Sequence, residues 1–220
     1  MATNNWERPV YFTSFSDMSK VLDIGKYLHM EGLAYRFIPV VAEDYNNYIK
    51  GGVYREGSYD LLVNKAQWGN LNQEGVVPDR ESVRNAVYAQ QAYSRLAQAL
   101  VNHEQFDSAV VVMDKFQEFF PNDKFPFDLR CYQFPEMYYI CGDTIKGDLF
   151  LRAIAGNYAD KVKYYCSLKP KLQDYYAEDI EEGMNLLKHF GGVAKKYERQ
   201  ELYDWITDKM TEFLSVYYME

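Results

Sequence analysis

From Arg80 to the C-terminus the chain breaks only at a few points, and between them apolar residues recur at helical spacing. This pattern limits the fold more than any other feature. It predicts helices over 80–102, 105–119, 133–141, 144–168, 175–197 and 199–218. The breaks fall at Pro121-Asn122-Asp123, Phe125-Pro126-Phe127, Cys141-Gly142-Asp143 and Lys169-Pro170. Helices of this length joined by short turns pack as antiparallel neighbours, stacked in pairs. Gly191-Gly192 lies inside one stretch and costs about 1 kcal/mol per glycine relative to alanine, which predicts a kink or split there.

Helical pairs call for a repeat, and residues 90–121 supply one. Tyr93, Leu96, Ala97, Leu100, Ala109, Met113 and Pro121 fall at the spacings of the tetratricopeptide pattern W-x2-L-G-x2-Y…A-x3-F…P. Ala97 and Ala109 are small where two helices approach closely. Tyr93, Leu96 and Leu100 form a stripe that Phe106, Ala109, Met113 and Phe116 answer from the next helix. A degenerate copy over about 128–159 sets Tyr138 against Leu100, Gly147 against Ala109, Leu151 against Met113 and Ile154 against Phe116. Pro135 interrupts its first helix. The last two helices carry no repeat letters and read as a cap. The expected fold is mainly α: tetratricopeptide-like stacked antiparallel helix pairs over 79–220, preceded by a small αβ piece over 1–78.

In that αβ piece, residues 9–13 and 33–41 read as strands. Ser16 and Asp17 could cap an intervening helix with apolar positions Val21, Leu22, Ile24, Tyr27 and Leu28, ended by Gly32. Such a crossover permits a parallel strand pair. Residues 43–58 read as a loop, and Tyr59, Leu62, Val63 and Ala66 as a short helix.

Composition narrows the function classes. The chain has 220 residues and a net charge of −8, which argues against a nucleic-acid footprint, since that needs a basic patch. No run of 18 apolar residues occurs, so no membrane span is expected. The N-terminus has neither a basic n-region nor an apolar h-region. Cys131, Cys141 and Cys166 are too few and too oddly spaced for a disulfide framework or a zinc site.

Asn4–Phe12, Tyr27–Pro39 and Trp68–Leu71, followed by the tetratricopeptide-like hairpin, resemble the C-terminal soluble region of a family of large polytopic bacterial membrane proteins. Those proteins carry a domain of unknown function, and their membrane half is similar to lipid-linked-sugar glycosyltransferases and protein O-mannosyltransferases. The resemblance implies a periplasmic tail; if Met1 is the natural start, a cytoplasmic location follows instead. The family's acidic catalytic residues belong to the membrane half, so none is carried over.

Enzyme readings find little support. His29, His103 and His189 are scattered, with no metal-ligand pairing, and no phosphate-binding or nucleophile signature is present. Glu178-Asp179 and Glu181-Glu182 could supply two glycosidase carboxylates, yet acids near a helix start are favourable without catalysis. No catalytic residue, metal or cofactor is assigned. In tetratricopeptide arrays the first helix of each pair lines a groove; by motif position Gln91, Ser94, Gln98, Val101 and Asn102 would face it. That surface is polar and uncharged, suited to a protein or peptide partner, with a glycan as the alternative. The expected function is a non-catalytic interaction domain attached to a glycosyltransferase-like membrane protein. The rivals are a glycan-binding accessory module and, last, a standalone glycoside hydrolase.

Overall fold

The computed structural model describes residues 8–13, 24–43 and 51–217. The chain divides into two compact units, Met1–Lys124 and Phe125–Glu220.

In the first unit, β1 (Tyr11–Phe12), β2 (Leu28–Glu31), β3 (Ala34–Phe37) and β4 (Gly52–Val53) form one sheet in the order β1-β3-β2-β4. The expected crossover is not what pairs these strands. β1 lies antiparallel to β3, with Tyr11 opposite Arg36, and β2 and β3 form an antiparallel hairpin. The parallel pair joins β2 to β4 instead. Leu28, read from the sequence as helical, begins β2, where burial alternates with a period of two: Leu28 and Met30 are buried while His29 and Glu31 are half-buried. Gly32, read as a helix cap, has φ +65° and turns the hairpin. The same left-handed conformation serves both ends, which is why its sequence signal is ambiguous. The expected cap at Ser16 and Asp17, with Val21 and Leu22, lies outside the described residues.

The stretch expected as a loop contains β4 and α1 (Arg55–Tyr59), which continues as a wider π-type turn over Asp60–Lys65. β4 exists because β2 supplies its partner, and the Tyr54 N–H donates to the Met30 carbonyl at 2.9 Å. A Cβ on Gly52 would fall 2.2 Å from that of Ala42, so this close passage requires glycine. Buried Ser58 locks α1 to the hairpin: its hydroxyl donates to the Met30 carbonyl at 2.9 Å and accepts from the Gly32 N–H at 3.1 Å. Ser58→Ala leaves the Gly32 N–H without that acceptor, and the expected loss is about 1–3 kcal/mol in urea unfolding. A loss within error would show that α1 is held by packing alone.

α2 (Arg80–Asn102) and α3 (Phe106–Phe119) form the hairpin of the best repeat. Asp79 caps α2, accepting from the Ser82 N–H at 2.8 Å. Tyr93, Leu96, Ala97, Leu100, Ala109, Met113 and Phe116 are all buried, as the spacing requires. Tyr93 is fully buried among Trp68, Phe116, Phe119 and Phe120, and its hydroxyl donates to the Leu62 carbonyl. Arg95 reaches Tyr35 Oη at 2.6 Å and the Gly51 carbonyl at 3.1 Å. These contacts tie the sheet and α1 to α2, so the composition break at residue 78 lies inside the first unit.

The second unit holds α4 (Phe134–Ile140), α5 (Thr144–Cys166), α6 (Pro170–Tyr175), α7 (Ala177–Lys196) and α8 (Gln200–Tyr217), giving eight α-helices among the described residues. α4 packs on α5, α5 on α7 and α7 on α8. Pro135 does not interrupt a helix; it stands in the first turn of α4, where its missing N–H costs nothing. Tyr138, Leu151 and Ile154 are buried. Gly147 lies under the Tyr139 ring, where a Cβ would meet Cε1 at 2.5 Å. The degenerate copy thus forms a hairpin with glycine at the small-residue crossing. α7 is neither split nor ended at Gly191-Gly192, because Leu187, Phe190, Val193 and Ala194 on either side are buried and hold the helix through the glycines. Gly192 is exposed, and a Cβ there would meet nothing within 4 Å. Gly192→Ala is therefore expected to stabilise the protein by about 1 kcal/mol, read as a higher urea midpoint at unchanged slope.

Burial also sets the alkaline limit. Removal from water pushes the phenols of Tyr93 and Tyr158 up to about 12, in Tyr93 against the opposing hydrogen bond from Trp68. The unfolded chain releases these protons near pH 10 while the folded protein keeps them. Their contribution to stability is therefore complete below pH 10 and is lost as pH rises from 10 to 12. Urea midpoints across that window should decline together with a delayed phenolate absorbance; a flat profile would contradict the burial of these hydroxyls.

Candidate functional site

α2 presents the row expected to face a groove. Gln91 and Asn102 are exposed, Ser94 and Gln98 half-buried and Val101 buried. Gln98 Nε2 donates to Asn102 Oδ1 at 2.8 Å, one helical turn on, so the two amides form a fixed pair. Ser94 Oγ is shielded from solvent and has no hydrogen-bond partner. The row carries no charge, and Arg95, on the same helix, is directed to the sheet.

The same unit holds a cavity of about 590 Å³ that the sequence did not reveal. His29, Val40–Glu43, Val53–Glu56, Tyr59 and Asp60 wall it from the sheet side and α1, and Leu100 of α2, Gln105 of the following turn and Ser108 of α3 close the other side. None of the five row residues lines it, although Val101 and Asn102 directly follow Leu100 in the chain. His29 donates through Nε2 to the Val40 carbonyl at 3.0 Å, which fixes the segment leading to Glu43. Glu43 is largely exposed, with Oε2 at 4.0 Å from Arg55 Nη1 and at 4.0 Å from His103 Nε2. Asp60 accepts from Lys65 and Asn64, which hold its carboxyl below the usual carboxylate range. A carboxylate so held stays ionised near neutrality, the opposite of what a general acid needs.

The cavity thus combines apolar Val40, Val41 and Val53, the phenols of Tyr54 and Tyr59, and three carboxylates against one guanidinium. This chemistry can hold a cationic or hydroxyl-rich group beside apolar surface. Its walls come from segments far apart in sequence, which no spacing rule links. The one signal available was the pairing of tyrosines with acidic residues over 54–60, inside a stretch read largely as a loop.

The acidic cluster of α7 has a structural role. Asp179 and Glu182 both approach Lys161 of α5, at 3.0 and 3.8 Å, and so bridge two packed helices. Among the described residues no group of three His, Cys, Asp or Glu side chains could hold a metal ion, and no helix is long and apolar enough to cross a membrane.

Residues 1–60 match the family described as TMEM260-associated domain 2. This is a domain of unknown function tied to a membrane-protein family. The matched region contains two of the three stretches on which the sequence resemblance rests, 4–12 and 27–39, and with them β1 to β4 and α1. No curated protein and no solved structure matches the chain.

Proposed function

We propose that this chain is a non-catalytic interaction domain, the periplasmic helical tail of a glycosyltransferase-like membrane protein, and that its first unit holds a protein or peptide partner. The cavity carries this reading. It has polar groups of both signs beside apolar surface, and Lys65 and Asn64 hold Asp60 in its ionised form. A lysine or arginine side chain of an extended segment suits the Glu43, Glu56 and Asp60 carboxylates, and Val40 and Val41 suit an adjacent apolar residue. The amides of Gln91, Gln98 and Asn102 are then available to the partner's backbone. The link to a membrane enzyme is supported by the match of residues 1–60 and by the resemblance of the stretches quoted above.

Tyr54 and Tyr59 favour a second reading, a glycan-binding module of the same enzyme, since tyrosine faces stack on sugar rings while carboxylates accept from hydroxyls. One experiment separates the two. The chain is applied in parallel to an array of extended peptides and an array of glycans, with a Glu56→Arg, Tyr59→Ala variant as control. Selection of peptides with a basic residue, lost in the variant, supports the first reading. Selection of glycans alone, lost in the variant, replaces it with the second. Turnover of a chromogenic glycoside, abolished by Glu182→Gln, overturns both in favour of a hydrolase.

A further inference from the structure

The guanidinium that lines the cavity, Arg55, differs from other half-buried arginines of the chain in how its donors are used. Arg95 donates to Tyr35 Oη and the Gly51 carbonyl, Arg130 to Asp128 Oδ1 at 2.9 Å, and Arg199 to the Tyr197 carbonyl at 3.0 Å. Arg55 has only 28 % of its side chain exposed, yet among the described residues its one polar partner is Glu43, at 4.0 Å. At that distance the two form a loose ion pair and no hydrogen bond. Glu43 is itself 78 % exposed and stands equally far from His103, so water screens the pair. The N–H fork of Arg55 is thus available to whatever enters the cavity.

The other charges of the cavity restrict what that can be. Glu43, Glu56 and Asp60 outnumber Arg55, so a lone anion is repelled. Asp60 is engaged by Lys65 and Asn64, whereas Glu56 is exposed and follows Arg55 directly in the chain. A guanidinium and a carboxylate on consecutive residues therefore line one cavity. The matching ligand carries a cation and a carboxylate a few bonds apart, with an apolar stem for Val40, Val41, Val53 and Leu100. The volume of about 590 Å³ suits a small molecule or a few residues.

We infer that the cavity takes a basic residue with a free α-carboxylate: a C-terminal lysine or arginine of a partner chain, or the free amino acid. The inference rests on the peptide reading above and narrows it from any basic residue in an extended segment to one that ends in a carboxylate. The side-chain cation meets Glu56 and Asp60, and its aliphatic stem lies along the valines. Arg55 donates to the α-carboxylate, a pairing that its planar fork suits in bidentate form. An internal basic residue satisfies the acidic groups equally well but gives Arg55 no counterpart. Its own α-carboxylate is the anion that a basic residue brings with it, and the cation beside it offsets the repulsion that excludes a lone anion.

The test is calorimetric titration of the whole chain with three peptides. They are acetyl-Val-Val-Arg with a free carboxylate, the same peptide as its C-terminal amide, and acetyl-Val-Val-Arg-Glu-amide, whose carboxylate belongs to an added side chain. The free acid is expected to bind about tenfold or more tightly than the amide. Arg55→Gln should remove that preference at unchanged circular dichroism, and Arg55→Lys, which keeps the charge without the fork, should retain part of it. Equal affinity of the wild-type chain for acid and amide overturns the inference and leaves the peptide reading standing. That comparison needs no variant, so it does not depend on how Arg55→Gln folds. The inference also falls if the glutamyl peptide matches the free acid, or if the preference survives in Arg55→Gln. Failure of all three peptides and of free L-arginine to bind overturns the peptide reading and the inference together. Free L-arginine bound as tightly as the free-acid peptide supports the inference and assigns the site to an amino acid; weaker binding assigns it to a chain end.

Discussion

Replacing Tyr93 with alanine is expected to destabilise the protein by about 3–5 kcal/mol, enough to remove much of a typical domain's stability. The side chain is fully buried and its ring lies within 6.5 Å of Trp68, Phe116, Phe119 and Phe120. Alanine leaves a cavity among four rings that cannot collapse together, because Phe116 and Phe120 are themselves fully buried and already packed at 5.7 Å. It also removes the donor to the Leu62 carbonyl and the acceptor of the Trp68 Nε1–H, which sits 3.2 Å away. Urea unfolding followed by tryptophan fluorescence reads the loss. Tyr93→Phe keeps the ring and removes the hydroxyl, so its smaller cost, about 1–3 kcal/mol, isolates the polar part. An alanine variant within about 1 kcal/mol of wild type would show that the hairpin is not organised on this ring.

Phe150→Ala is the corresponding experiment in the second unit, with a similar expected cost of about 3–5 kcal/mol. Phe150 is almost fully buried on α5, stacked on Phe127 at 4.4 Å and 6°, with Phe134 at 5.4 Å and Tyr138 at 6.2 Å. It holds the segment before α4, α4 itself and α5 in one cluster. Phe150→Leu, which keeps an apolar side chain at the site, should recover much of the loss. Near-UV circular dichroism should report loosened aromatic packing in the alanine variant before far-UV signals change. If the leucine variant unfolds at the same urea concentration as wild type, ring stacking contributes nothing measurable here.

Tyr93 sits on the stripe that periodicity marks as core, and Phe150 directly precedes Leu151 of the degenerate copy; the helical part of the chain was legible from such spacing. α2, α3, α4, α5, α7 and α8 lie within two residues of the bounds expected from apolar spacing and breakers. The small-residue crossings at Ala109 and Gly147 were legible as well, since a close helix approach leaves a mark on residue size. The errors cluster where one local signal serves two structures. Gly32 satisfies a helix end and a hairpin turn equally. Pro135 breaks a helix interior but begins a helix without cost. Gly191-Gly192 should weaken α7, and tertiary burial on both sides overrides that propensity.

The tyrosines divide along the same line. Tyr93, Tyr138, Tyr139 and Tyr158 are buried, and their hydroxyls belong to packing. Tyr164 and Tyr175 have the same chemistry and adjacent tyrosine neighbours but lie exposed. Composition cannot separate the two groups.

The amino-acid sequence by itself determined that most of this chain is paired helices, because a helix repeats every few residues and its buried face is written into a short window. Only the tertiary structure decided the strand pairing of β1 to β4, the place of α1 and the walls of the cavity. Each of these depends on residues that meet across long separations, as Ser58 meets Gly32 and Asp60 meets Ser108 around one cavity. Such meetings are fixed by the packing of the whole unit, and no short window of sequence contains them.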